Sequence, residues 1–164
     1  MTAFSLRRVA PDESELIYSF LTLAARMKES GEPIQKALVD KQLTKYWQAW
    51  GRPHDLGVVA VRASDSLPVS CAWLRQLPER DEGFIASGIL ELAFGTVESD
   101  RGQGIGSQVL TQLIEHARPT AAGISLSVRA ENPAVRLYQR LGFRTTSEIV
   151  NRVGGRSLTM QLDF

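Results

Sequence analysis

The sequence predicts one domain of the α/β or α+β class with about seven strands, and three observations carry that expectation. The chain has 164 residues, the length of one domain rather than two, and positions 1–164 contain no repeat, low-complexity tract or linker that would mark a boundary. Short runs with strand character alternate with amphipathic helical stripes in a mixed order. Turn-rich segments at Ser64–Pro68 and Gly154–Gly155 separate apolar runs as hairpin turns do.

Phe4 to Val9 reads as a first strand, closed by Pro11. Asp12 stands where a helix cap is expected, and Leu16, Ile17, Phe20, Leu21 and Ala24 recur at helical spacing, so a helix is expected up to Gly31. Pro33 opens a second helical pattern through Ala37, Leu38, Leu43 and Trp47 to Gly51, with Pro at the start and Gly past the end. The Val-rich run Leu56–Ala63, the turn Ser64–Pro68 and the run Val69–Leu77 predict a hairpin, followed by the polar loop Pro78–Gly83. Ile89–Val97 is the next strand, then a glycine cluster. A helix follows with the stripe Ile105, Val109, Leu110, Leu113, Ile114 and Ala117, ended by Pro119. Ile124, Leu126 and Val128 alternate with serines in a further strand, and Asn132-Pro133 opens a short helix through Leu141. Phe143–Val150 and Ser157–Leu162 around Gly154-Gly155 make a closing hairpin.

Composition excludes function classes rather than choosing one. With 43% apolar and 23% charged residues the chain can form a core of its own. Nineteen Lys and Arg against 18 Asp and Glu leave a formal charge of +1, no electrostatic reason to expect nucleic acid or a membrane surface as partner. The single Cys71 permits no internal disulfide and no CxxC knuckle, and with only two histidines no metal-ligand spacing exists. No apolar run approaches the roughly 20 residues of a membrane span, and the first residues lack the apolar core of a signal peptide. The expectation is a cytoplasmic domain without a metal.

The most informative segment is the strand–loop–helix around Arg101-Gly102-Gln103-Gly104-Ile105-Gly106-Ser107. Glycines there allow a tight turn and let a ligand approach the main chain without meeting a Cβ. The first N–H groups of the following helix are unsatisfied and lie at the positive end of its dipole, which suits a phosphate or pyrophosphate. A Walker A loop is excluded, because no Gly-Lys-Ser/Thr follows. A dinucleotide fingerprint fits poorly: its third glycine position falls on Ser107, and too little chain follows for that fold, although Glu131 stands where a ribose-binding acid is expected. A glycine-rich helix start without a ligand is the plain alternative.

Arg101-x-x-Gly104-x-Gly106 resembles the Arg/Gln-x-x-Gly-x-Gly/Ala signature of the GCN5-related N-acetyltransferases (GNAT), which bind the pyrophosphate of acetyl-CoA on this loop. A second element of that family follows one helix and one strand later, in Asn132-Pro-Ala-Val-Arg-Leu-Tyr138-Gln-Arg-Leu-Gly142-Phe143. The resemblance is close from Ile89 to Phe143. It implies a mixed, largely antiparallel seven-stranded sheet with about four helices and a pantetheine arm threaded where the strands ending near Val97 and Arg129 part. The activity it implies is acetyl transfer from acetyl-CoA to a primary amine, on a small molecule or a peptide.

Residue roles follow from the same resemblance. Phe94, Gly95 and Thr96 stand where the family bonds the pantetheine arm through its main chain. The N–H groups of Gly102, Gln103, Gly104, Ile105, Gly106 and Ser107 would hold the pyrophosphate, with Arg101 as a fixed charge beside them. Tyr138 matches the tyrosine near the thioester sulfur and would be the general acid; as a residue it also reads as a core aromatic. Asn132 matches an asparagine that contacts the cofactor or orders the turn. Tyr138 follows it by six positions, where many members have seven.

Glu91 is the candidate base. An acid inside the apolar run Ile89-Leu90-Glu91-Leu92-Ala93 is costly to bury unless a cleft or a purpose accommodates it, and desolvation would raise its pKa toward a useful range. The alternative is a strand-edge glutamate facing water. Weaker candidates have plainer readings: His54 as a solvated loop residue, His116 as a surface residue, Cys71 as a small core residue, and Trp47 and Trp50 as core packing rather than an acceptor pocket. The acidic loop Glu79–Glu82 could attract a cationic amine but reads equally as solvated. A catalytically silent acyl-CoA-binding sensor or interaction module would keep the same loop, and the closing hairpin could pair between subunits to give a homodimer.

Overall fold

The computed structural model describes residues 3–164. Seven strands form one sheet: β1 (Phe4–Arg8), β2 (Leu56–Arg62), β3 (Pro68–Arg75), β4 (Ile89–Thr96), β5 (Gly123–Arg129), β6 (Arg144–Val150) and β7 (Arg156–Asp163). Their spatial order is β1-β2-β3-β4-β5-β7-β6. Every neighbouring pair is antiparallel except β4 and β5, which run parallel. The helices are α1 (Ser14–Ala24), the single turn α2 (Lys41–Thr44), α3 (Ile105–Ala117) and α4 (Ala134–Arg140). The expected mixed, largely antiparallel architecture is the observed one.

Alternation along the central strands divides the core into two layers, because successive side chains leave opposite faces of a sheet. Val58, Ala60, Ala72, Leu74, Leu90 and Leu92 pack beneath the stripe of α3, with Tyr138 of α4 and Phe143 joining them. Val59, Cys71, Trp73 and Ala93 face the other way, against Ile17, Phe20 and Leu21 of α1. Glu91, between Leu90 and Leu92, therefore shares the α1 face with Ala93.

The parallel pair β4 and β5 is joined only over Ile89–Glu91 and Gly123–Ser125. Beyond Glu91 the two strands part. At Gly95 α1 sits directly on β4: a Cβ there would lie 3.0 Å from the Leu23 Cβ and 3.1 Å from the Ala24 nitrogen.

Both early helices are shorter than their apolar patterns suggest, and the reasons are tertiary. The first ends at Ala24, because Arg26 takes a left-handed φ of 51° and the Ala25 carbonyl receives Arg129 at 3.0 Å and Arg152 at 3.2 Å. Residue 12 does not cap it. The carboxylate of Glu13 instead takes the Ala10 N–H at 2.7 Å and the Arg7 guanidinium. The pattern from Pro33 breaks into a 3-10 turn, Ile34–Leu38, and then α2, which Asp40 caps through the Gln42 N–H at 2.9 Å. It goes no further as a helix because Arg75 collects the carbonyls of Lys45, Gln48 and Ala49 at 3.1, 2.7 and 3.0 Å. That guanidinium is itself paired with Asp55 and fully buried.

Candidate active site

The parting of β4 and β5 opens a cleft of about 1350 Å³. Its lining includes most of the residues selected from sequence: Glu91, Phe94, Gly95, Thr96, Arg101, Gly102, Gly104, Ile105, Gly106, Ser107, Asn132 and Tyr138. Gln103 lies in the same loop without lining the cleft.

One end is made by the glycine loop. Gly102 and Gly104 have φ of 77° and 79°, a left-handed conformation that other residues adopt only at a cost. A Cβ at either would meet nothing within 4 Å, so the main chain there faces open space. Gly106 is required for a different reason: its Cβ would overlap the Phe94 ring at 2.5 Å. Gly104 begins α3 with no side-chain cap, which leaves the first N–H groups of a 13-residue helix to the cleft. Arg101 hydrogen-bonds the Thr96 carbonyl at 3.1 Å and so ties the loop to the end of β4. The turn just before it is anchored by the buried Asp100, which accepts from Arg62 at 2.8 Å and from Ser99 at 2.8 Å. Uncapped amides, a cradle without Cβ atoms and a flanking guanidinium fit a pyrophosphate.

The middle of the cleft holds Glu91 and Tyr138. Glu91 is buried, with Tyr46 donating to one carboxylate oxygen at 3.0 Å and Ser125 donating to the other at 3.0 Å. Burial pushes its pKa up to about 7, against the two hydroxyl donors and nearby Lys45, which favour the charged form. Tyr138 is buried edge-on to Phe94 and Phe143, with ring centroids 6.4 and 5.7 Å apart. Burial raises the pKa of its phenol, which keeps the O–H protonated. Among the described residues that hydroxyl has no hydrogen-bond partner.

The α1 face of the cleft is built from segments that sequence reading did not select. Ser125, Ser127 and Arg129 follow one another on that face of β5, and Ser157 and Thr159 stand beside them on β7. Arg152, from the turn between β6 and β7, completes this face. Tyr46 comes from just beyond α2, and neither it nor Ser125 carries a sequence signal of its own. The alternation of serines with apolar residues on β5 is the one trace that points to a polar cleft wall.

Other candidates take the plainer readings. The indole of Trp47 donates to the Ala37 carbonyl at 2.9 Å and that of Trp50 to the Ala10 carbonyl at 2.9 Å, and neither lines the cleft. Asn132 accepts the Ala134 N–H at 2.9 Å and so orders the turn into α4. His54 is exposed. Cys71 is fully buried with its thiol pKa raised by burial, so it is no nucleophile. The acidic loop does reach the cleft, but Lys45 holds Asp81 at 2.9 Å. Among the described residues no group of three His, Cys, Asp or Glu could hold a metal ion, and no helix is long and apolar enough to cross a membrane.

Comparison with known proteins agrees with this geometry. Residues 93–164 match the acetyltransferase (GNAT) domain. No curated protein sequence matches the chain. Solved structures share the fold over nearly its whole length. One, from Acinetobacter baylyi ADP1 and proposed to be an acetyltransferase, superimposes with a TM-score of 0.73 at 17% identity, covering 100% of this chain and 94% of that one. A ribosomal-protein-alanine N-acetyltransferase from Brucella melitensis gives 0.71 at 21% identity, covering 98% and 99%. A Salmonella typhimurium protein, also proposed to be an acetyltransferase and solved with its cofactor acetyl-CoA, gives 0.68 at 18% identity, covering 98% and 94%.

Proposed function

We propose that the chain is a GNAT acetyltransferase, a reading supported by the match of residues 93–164 to that domain, and that it transfers the acetyl group of acetyl-CoA to a primary amine by direct attack, with Glu91 as base and Tyr138 as acid. One observation carries this reading. A buried carboxylate and a buried phenol line the same cleft whose end is an uncapped, glycine-lined helix start.

Acetyl-CoA supplies an activated thioester, so no covalent enzyme nucleophile is needed. The open main chain of Gly102, Gly104 and Gly106, with Ile105, Ser107 and Arg101, would hold the pyrophosphate. Leu92 to Thr96 leave one edge of β4 unpaired by β5, and Phe94, Gly95 and Thr96 there would bond the pantetheine amides. Glu91, with a pKa near 7, is charged in part at neutral pH and can take the proton that the amine must lose. Tyr46 and Ser125 each bond one oxygen and fix the carboxylate plane. The Tyr138 O–H would deliver a proton to the departing sulfur, and its raised pKa ensures that the proton is there to give.

Two measurements test the proposal. Acetyl-CoA should raise the melting temperature of the purified protein by mass action. Mixed with a panel of primary amines, the protein should release CoA thiol in a time- and enzyme-dependent way. No melting shift with acetyl-CoA would refute the binding assignment; a shift without thiol release from any amine would leave a silent binding module.

A further inference from the structure

We propose that the acceptor amine carries a carboxylate, held by Arg129 and Arg152 on the α1 face of the cleft. The inference rests on the acetyl-transfer reading of the cleft and adds the substrate class.

Arg129 occupies the same face of β5 as Ser125, the residue that bonds Glu91. Four residues of strand separate them, about 13 Å of backbone. Both arginines line the cleft, and their side chains are only 15% and 13% exposed. Guanidinium groups that deep need their donors met, because a buried charge without partners is strongly disfavoured. The protein meets some of them, and the nitrogens left over are not fully buried, since no arginine nitrogen among the described residues is both buried and without a partner. Arg129 spends one nitrogen on the Ala25 carbonyl at 3.0 Å, and among the described residues its Nε and Nη1 have no acceptor. Arg152 bonds the same carbonyl at 3.2 Å and pairs with Glu32, which leaves its Nε.

The resident carboxylate does not complete the set. Glu32 is shared between Arg152 and Lys36, and its Oε1 is buried without a hydrogen bond, with Arg129 at 3.9 Å, too far to donate. Asp40 lies 3.9 Å from Lys36, so three cations face two carboxylates. The imbalance continues through the cleft, whose lining has eight Lys and Arg against four Asp and Glu, in a chain whose total is +1. Arg101 bonds the Thr96 carbonyl at the glycine loop, whereas Arg129 and Arg152 both bond the Ala25 carbonyl at the end of α1. Between them and Glu91 the wall is hydroxylic, with Ser127, Ser157 and Thr159. Such a wall suits a polar acceptor, and the cleft lacks the carboxylate excess that a polyamine would require. Guanidinium is the planar fork that matches a carboxylate. A free amino acid and the C-terminus of a short peptide both present this chemistry, and the length of the β5 wall favours the longer separation of amine from acid.

The experiment compares acceptors in matched pairs, each as the free acid and as its C-terminal amide: α-amino acids, ω-amino acids, and di- and tripeptides. With wild-type protein the acid should exceed the amide in kcat/KM by about tenfold or more in at least one pair. The pair showing the largest ratio identifies the source. Arg129→Gln and Arg152→Gln should bring that ratio toward one while the KM for acetyl-CoA stays unchanged. Arg152→Lys should recover only part of it. In each variant a retained acetyl-CoA melting shift certifies the fold, and a merely structural strap would lower stability without moving the ratio. A binding arm needs no turnover: the acid, and not the amide, should raise the melting temperature of the CoA-loaded wild type. Binding of the acid without acetylation would support the subsite and refute acetyl transfer. Equal kcat/KM for acid and amide throughout, preference for amides or polyamines, or an unchanged ratio in folded arginine variants would each overturn the subsite.

Discussion

Two parts of the cleft, the glycine-loop end and the wall around Glu91 and the α1 face, are made in different ways. The glycine-loop end is contiguous in sequence, from Phe94 to Ser107, and works largely through its main chain: left-handed glycines, an uncapped helix start and a free strand edge. The middle and the α1 face are assembled from Tyr46, Glu91, Ser125, Arg129 and Arg152, spread over four separate segments, and work through side chains. A donor site of the first kind is set by local backbone chemistry and tolerates change elsewhere in the chain. An acceptor site of the second kind can be altered one side chain at a time while the donor site stands, a division that allows one fold to serve different acceptors.

Substitutions in the two parts should therefore fail in different parameters. The largest effect is expected for Glu91→Gln, a fall in kcat/KM toward the amine of about 10³-fold with the acetyl-CoA melting shift retained. Tyr138→Phe should lower kcat by about 10²-fold, again with donor affinity kept; full activity in this variant would remove the acid from the mechanism. At the glycine loop Gly104→Val imposes a branched residue on a φ of 79° and should raise the KM for acetyl-CoA by about tenfold or more, while the acid-to-amide ratio stays put. A loss confined to kcat in that variant would contradict the division.

The smaller effects concern pH. The base must be deprotonated, so kcat/KM should rise with pH through a limb near 7, the value to which burial pushes Glu91. The Tyr46 hydroxyl favours the charged carboxylate, so Tyr46→Phe should move that limb to higher pH and lower activity several-fold at neutral pH. Stability carries the opposite sign. A carboxyl whose pKa is raised on folding keeps its full contribution below the ordinary value of 4.5 and loses it as pH climbs through about 7. The melting temperature of Glu91→Gln relative to wild type should therefore climb between those limits and level off above them. A constant difference from pH 4 to 8 would mean that Glu91 ionises freely.

What could be read from sequence follows the same division. Gly102, Gly104 and Gly106 announce a backbone requirement by residue type alone, and their neighbours in the chain are their neighbours in space. Glu91 was detectable because an acid in an apolar strand is anomalous. Tyr46, Arg129, Arg152 and Glu32 were not, since each is ordinary where it stands and gains meaning from contacts with distant segments. The overlong helices have the same origin. Periodicity predicted helix up to Gly31 and from Pro33 to Gly51, and it could not foresee that Arg75, Arg129 and Arg152 take the carbonyls at which those helices stop. Trp47 and Trp50 show the reverse: large aromatics near a cleft whose indoles are satisfied by carbonyls behind it.

The brief pairing of β4 with β5 gives the sheet four borders instead of two. β1 and β6 are the outer ones, open to any neighbouring chain; the inner pair lies recessed between α1 on one side and α3 with α4 on the other. Exposed strand edges invite unwanted pairing, yet a recess of this kind excludes a strand that carries side chains on both faces. In the proposed function the pantetheine arm is the thin extended molecule that brings amides of its own to this seam. Every second backbone amide of residues 92–96 should be protected from exchange with solvent only when such a molecule closes the seam.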